Sequence, residues 1–149
     1  PNRGTWTNPG DHMRGEFALG GAWNIKNVTA SDIAYEGTVN LGSGNAAGLV
    51  FRSSSDGASS YDVILDAVDG VFKLSKRPLY TVLRSQTMPV LRNHPYHVKV
   101  LARGDALEAY LDGKKLLTVT DGTYTSGQLG VCVFRATGTF DDLRAWRLP

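Results

Sequence analysis

The chain has 149 residues and a mass of 16.1 kDa, the size of one domain at roughly 100–200 residues per domain. Hydrophobic residues make up 42% and charged residues 20%, which sets aside a disordered tail, and the formal net charge of +2 sets aside a strong nucleic-acid footprint. The single cysteine, Cys132, excludes an intrachain disulfide and a Cys-based zinc site, and no run approaches the roughly 18 apolar residues of a helical membrane span. Glycine, at 17 of 149 residues, is about 11% against an average of about 7%, which suits a fold with many tight turns. Pro1-Asn2-Arg3-Gly4 shows no apolar core of a signal peptide. A start at Pro without Met leads us to expect one module, residues 1–149, cut from or attached to something longer.

The dominant pattern is short period-two runs broken by turns. Tyr35 to Leu41 puts Tyr35, Val39 and Leu41 on one side and Glu36, Thr38 and Asn40 on the other, as a half-buried strand requires. Gly42-Ser43-Gly44-Asn45 reads as a turn. Ala47 to Arg52 is a second strand, and Ser53 to Ser60 a loop. Tyr61 to Ala67 alternates Tyr61, Val63 and Leu65 against Asp62, Ile64 and Asp66. Asp69-Gly70 is a hairpin signal, with Val71 to Lys76 returning across it and Thr81 to Ser85 a weaker strand. In the second half, Tyr96 to Ala102 is a strand. Ala106 to Leu111 is helix-prone by composition, but the turns on either side, Arg103-Gly104-Asp105 and Asp112-Gly113, favour a strand. Lys114 to Val119, Gly127 to Phe134 and Thr139 to Trp146 complete the series. About ten to twelve short strands at even spacing predict a sandwich or barrel.

The nucleophile elbow, zincin, P-loop and dinucleotide motifs are absent. His94 and His97 flank Pro95, a poor geometry for two ligands on one helical turn, and His12 stands alone. Cys132 lies within Val131-Cys132-Val133 and reads as a small core residue. Glu36, Asp62, Asp66 and Asp142 are candidates for a glycosidase carboxylate pair, with no spacing that selects two of them. Sugar recognition needs a different set: charged donors and acceptors that grip hydroxyls, and a ring against the sugar's C–H face. Glu36, Arg52 and Asp62 supply the first, and Tyr61, Tyr80, Tyr124, Trp23 and Trp146 are available platforms. Asp69 and Asp112 read as turn residues, because Asp-Gly is what those turns need.

The segments YEGTVNL, AGLVFRSSSDGASSYDVILDA, YHVKVLARGDALEAYLDGKKLLTVTDGTYTSGQLGVCVF and TFDDLRAW together resemble the family 66 carbohydrate-binding modules that accompany fructan-degrading enzymes such as levanases. The resemblance runs from Trp23 to Trp146. It implies an all-β fold, a two-sheet antiparallel sandwich of the jelly-roll, concanavalin A-like kind. It also implies a shallow pocket for a terminal fructosyl unit of levan or a related fructan. Matched residue by residue, the pocket would draw on Glu36, Arg52, Tyr61, Asp62, Asp141 or Asp142, and Trp146. Many relatives carry an apolar or aromatic residue where this chain has Asp62. Trp6, Asp11 and His12 receive no assignment.

The resulting expectation is a non-catalytic, monomeric, extracellular module that targets a tethered glycoside hydrolase to fructan, with no nucleic-acid or membrane partner. It needs no cofactor, and a structural calcium is the one metal that a lectin-like fold admits. Two rivals are a small glycosidase using paired carboxylates and a laminin G-like adhesion domain holding calcium at its rim.

Overall fold

The computed structural model describes residues 4–7 and 13–149, with the side chains of 17–20, 22, 24 and 27 left aside; Asp11 and His12 therefore lie outside the described residues. The described residues form ten strands: β1 (Thr5–Thr7), β2 (Met13–Ala30), β3 (Ile33–Ser53), β4 (Ser60–Asp66), β5 (Val71–Arg77), β6 (Thr81–Thr87), β7 (Pro95–Arg103), β8 (Ala106–Leu111), β9 (Lys114–Thr120) and β10 (Gly127–Arg147). All pairings are antiparallel. The helix-prone Ala106–Leu111 segment is strand, held between hairpin turns; Asp112 and Gly113 both have left-handed φ, as that turn requires.

Strands β2, β3 and β10 serve both layers. The first half of β3 pairs with β7 and the second half with β4, and β10 runs beside β3 along its whole course. The sequence reading divided β3 into two strands about a Gly42–Asn45 turn, and β10 likewise. Both are continuous instead. Gly44 has a φ of 88° and its missing Cβ would meet the Arg135 carbonyl oxygen at 2.0 Å. Glycine there lets the strand bend across from one layer to the other without reversing, and β10 answers with register shifts on either side of the same point.

One layer thus contains β4, β5 and β6 with the second half of β3 and the first half of β10. The other contains β7, β8 and β9 with the remaining halves. The inward residues of the alternation fill the space between: Tyr35, Val39 and Leu41 from β3, Tyr61, Val63 and Leu65 from β4, Phe72 and Leu74 from β5, and Val98, Val100, Leu107 and Phe140 opposite. This is the all-β sandwich that the resemblance implied, one of the two forms that the strand spacing left open. At about 25 cal/mol per Å2 of apolar area removed from water, this core is the main stabilising term of a chain without cross-links.

Candidate functional site

The outward face of β4 is buried as thoroughly as the inward one. Ile25, Ala46, Val50, Ile64 and Cys132 form a second small apolar cluster there, with Trp23 and Phe134 packed against it. Asp62 and Asp66 stand on this face either side of Ile64, and each meets a base from β5. The pairing is the same both times. Asp62 lies opposite Ser75 and reaches Arg77 two residues further on; Asp66 lies opposite Val71 and reaches Lys73 two residues further on.

The first pair is closed. Arg77 Nε donates to Asp62 Oδ2 at 2.7 Å and Nη2 to Oδ1 at 3.2 Å. Its other donors reach Ser60 Oγ at 2.8 Å and the Gly57 carbonyl at 2.6 Å. The guanidinium carbon sits 4.7 Å from the Trp23 ring centre. A Cβ at Gly57 would strike the Trp23 ring at 2.1 Å, so glycine is what lets the 54–59 loop close over the pair. Burial alone would lower the Arg77 guanidinium; the Asp62 carboxylate outweighs it, and the net shift is upward. Asp62 is 0% exposed and offers nothing to a ligand from outside. Burial and the Asp62 charge push the nearby Cys132 thiol up, away from reactivity.

The second pair is open. A cavity of about 190 Å3 is lined by Asn45, Ala46, Ile64, Asp66, Lys73, Tyr80 and Phe134. That is room for about six waters at about 30 Å3 each. Lys73 Nζ donates to Asp66 Oδ2 at 2.9 Å, and Asp66 Oδ1 accepts the N–H groups of Val68 and Asp69, both at 2.9 Å. Burial alone would raise the Asp66 carboxyl, but the Asp69 N–H and Lys73 outweigh it and hold it below its ordinary value. Burial alone would lower the Lys73 ammonium, but Tyr80 and Asp66 raise it. Lys73 Nζ is 5.2 Å from the Tyr80 ring centre, and Tyr80 is 53% exposed. An ammonium carries three N–H donors, and a carboxylate oxygen accepts more than one bond. With one donor on Asp66 and another drawn to the Tyr80 hydroxyl, Lys73 still has one to give, Asp66 Oδ2 has acceptor capacity left, and two rings stand beside them.

The seven residues singled out from the sequence are not brought together. Arg52 is 1% exposed. Its guanidinium donates to the carbonyls of Ser31 (3.1 and 3.0 Å), Gly104 (2.6 Å) and Tyr124 (3.0 Å), joining three loops, and burial draws it below its ordinary value. Tyr61 is 0% exposed and donates its hydroxyl to Asp121 Oδ1 at 2.6 Å. Burial first, then that hydrogen bond, pushes its phenol up to about 12. Asp62 is closed by Arg77, as described. The other four lie on the opposite layer. Glu36 meets His97 Nε2 at 3.2 Å, Asp141 pairs with Thr38 across the ladder, Asp142 adopts a φ of 52° at an irregularity of β10, and Trp146, 44% exposed, lies under Lys99 at 5.4 Å. Lys73, Asn45 and Phe134 were not picked out from the sequence. Asp66 was noted only as a carboxylate and Tyr80 only as a ring. Among the described residues, no three His, Cys, Asp or Glu side chains converge on one point.

No protein-family model matches the chain. In three dimensions it superimposes on the carbohydrate-binding module CBM66 from Bacillus subtilis with a TM-score of 0.93 and 28% identity, covering 97% of this chain and 93% of that one. This chain is a structural relative of CBM66. A protein of unknown function with a galectin-like fold from Bacillus subtilis gives a TM-score of 0.74 at 13% identity, over 98% of this chain and 87% of that one, a likeness of fold alone. In sequence the chain is 29% identical over 145 residues to the levanase of Bacillus subtilis strain 168. That match covers 94% of this chain and 21% of the levanase, so the chain spans about a fifth of its curated relative's length. The CBM66-like module is thus matched nearly end to end, whereas the enzyme is matched in one part.

Proposed function

We propose that the chain is a non-catalytic carbohydrate-binding module that takes a terminal fructosyl unit of levan or a related fructan into the Asp66–Lys73 cavity. The observation that carries this reading is the open pair itself: an acid and a base with unused hydrogen-bonding capacity, held part-buried between Tyr80 and Phe134, in a chain that matches a carbohydrate-binding module over nearly its whole length.

In this binding mode Asp66 Oδ2 accepts a hydrogen bond from one sugar hydroxyl, and Lys73 donates to the oxygen of another. Charge-assisted bonds of this kind are about twice as strong as neutral ones, and partial burial strengthens them further. The Tyr80 and Phe134 rings cover the C–H face of the sugar. The mode calls on no cofactor. It is the module's task, as a monomer, to hold an attached hydrolase on extracellular fructan. One small site gives modest affinity, because every sugar hydroxyl must leave water. A polymer with many ends compensates by avidity when several modules act together.

The test is affinity electrophoresis in gels containing levan, inulin or no polysaccharide, with reducing-sugar release measured in parallel. We expect levan to retard the parent, Asp66→Ala to migrate as in the empty gel while keeping its circular dichroism spectrum, and no reducing sugar to be released. A folded Asp66→Ala variant retarded as strongly as the parent removes the cavity from the reading. Sugar release by the purified chain replaces the reading with the glycosidase one.

A further inference from the structure

The second half of the outward face carries another opening. A cleft of about 390 Å3 lies where β3 and β10 bend between the layers, lined by Arg14, Asn40, Ser43, Asn93, Thr137 and Thr139 together with glycine backbone. Its chemistry differs from that of the cavity. Among the described residues no carboxylate and no aromatic ring lines it; amides, hydroxyls and one guanidinium do. The charge of Arg14 is matched by Glu16, whose Oε2 lies 3.1 Å from Nη1, so the site offers little to attract an anion. Ser43 and Thr137 are bonded to each other at 3.0 Å. The side chains of Asn40, Asn93 and Thr139 have no hydrogen-bond partner among the described residues. An amide presents both a donor pair and an acceptor, and a hydroxyl either role. Such a set fits an uncharged ligand rich in hydroxyl groups.

Its position fits as well. The cavity and the cleft follow one another along the same two strands. On β3, Asn45 lines the first and Ser43 the second; on β10, Phe134 lines the first and Thr137 the second. Two residues on β3 and three on β10 span about 7–10 Å at about 3.3 Å each, a gap that a few sugar units cover.

We infer that the cleft is an extension of the binding site, which takes the internal units of the same glycan chain whose end fills the Asp66–Lys73 cavity. The inference rests on the cavity reading. It adds that this module grips a chain through its end and also through the units that follow, with Asn40, Asn93 and Thr139 as the hydroxyl-binding groups.

Isothermal titration calorimetry with a levan disaccharide and a levan tetrasaccharide tests it. The parent should bind the longer sugar about tenfold more tightly, which corresponds to about 1.4 kcal/mol. The double variant Asn40→Ala, Asn93→Gly should bind the disaccharide as the parent does and lose the gain with length. Glycine is chosen because Asn93 has a φ of 57°, which glycine adopts freely. Thr139→Val, close in shape, is the second variant and should halve the gain or more. Equal affinity of the parent for both sugars, or a gain that survives in both variants, overturns the inference and leaves the cavity reading standing. Failure of the parent to bind the disaccharide overturns both.

Discussion

The two acid–base pairs on the outward face of β4 and β5 share one backbone geometry and end in opposite states. Each acid meets a base two residues past its cross-strand partner. Arg77 has five donors in a rigid fork, and carboxylate, hydroxyl, carbonyl and ring surround it on every side. Lys73 is a compact ammonium on a flexible stem, and beyond Asp66 it faces a cavity beside Tyr80. The choice of base and the covering loop decide which pair is structure and which is site. An arginine with four of its five donors engaged locks a loop down; a lysine with a donor to spare leaves room for a guest.

The contrast breaks first at Asp62. Asp62→Ala leaves the Arg77 guanidinium buried without its counter-charge, and removing one partner of a buried pair costs about 3–5 kcal/mol. Urea unfolding should show a loss of that order. Asp66→Asn keeps an oxygen for the Val68 and Asp69 N–H groups and should cost about 1–2 kcal/mol. Equal losses in the two variants would erase the distinction between closed and open pair. The second expectation reverses the order. In levan gels Asp66→Asn should weaken retention about tenfold, since a neutral acceptor replaces a charged one.

Tyr80→Ala sharpens the same comparison from the aromatic side. Tyr80 is exposed, so the melting temperature should stay within about 1 °C, while affinity should fall by about 0.5–1.5 kcal/mol, about two- to tenfold. Unchanged affinity would leave the cavity without its ring platform. The smallest effect is that of pH. Asp66 and Asp121 both sit below the ordinary carboxylate value. For Asp121, burial would raise it, but the Tyr61 hydroxyl, Thr123 and Lys76 outweigh that. A depressed carboxyl stabilises the fold above its unfolded value of about 3.9, and that contribution is lost as pH falls through the folded value below it. Levan binding should therefore be flat from about pH 8 to about pH 5 and decline only below about pH 4. A decline near pH 6 would show that a group other than Asp66 controls binding.

Much of the layout was legible in the sequence. The alternation of Tyr61, Val63 and Leu65 against Asp62, Ile64 and Asp66 is the observed one, because a strand's period is fixed by its pleat. The bend at Gly44 was not legible. A Gly-Ser-Gly-Asn run meets the composition of a reversing turn and of a strand crossing between layers equally well, and only the partner strand β10 distinguishes them. The site was harder to read. Arg52 and Asp62 looked like ligands because sugar recognition needs charged donors and acceptors that grip hydroxyls, and the resemblance matched them. Their use turned out to be internal, through carbonyls of Ser31, Gly104 and Tyr124 and through Arg77, partners distant in sequence. The Asp66–Lys73 pair was closer to view. A two-residue turn at Asp69-Gly70 would set them directly opposite, and the observed four-residue connection moves the register by two, which keeps both on one face.

The long final strand has a consequence for how the protein comes into being. β10 lies between β2 and β3 and contributes to both layers. Until its residues leave the ribosome, β2 and β3 lack the strand that joins them, and neither layer can complete its hydrogen-bond ladder. Strand pairings this distant in sequence form late and slowly. Until β10 pairs, β2 and β3 therefore carry bare apolar strand edges, the kind of edge that favours aggregation. Acquisition of the native state should be abrupt, waiting on Gly127–Arg147 to emerge.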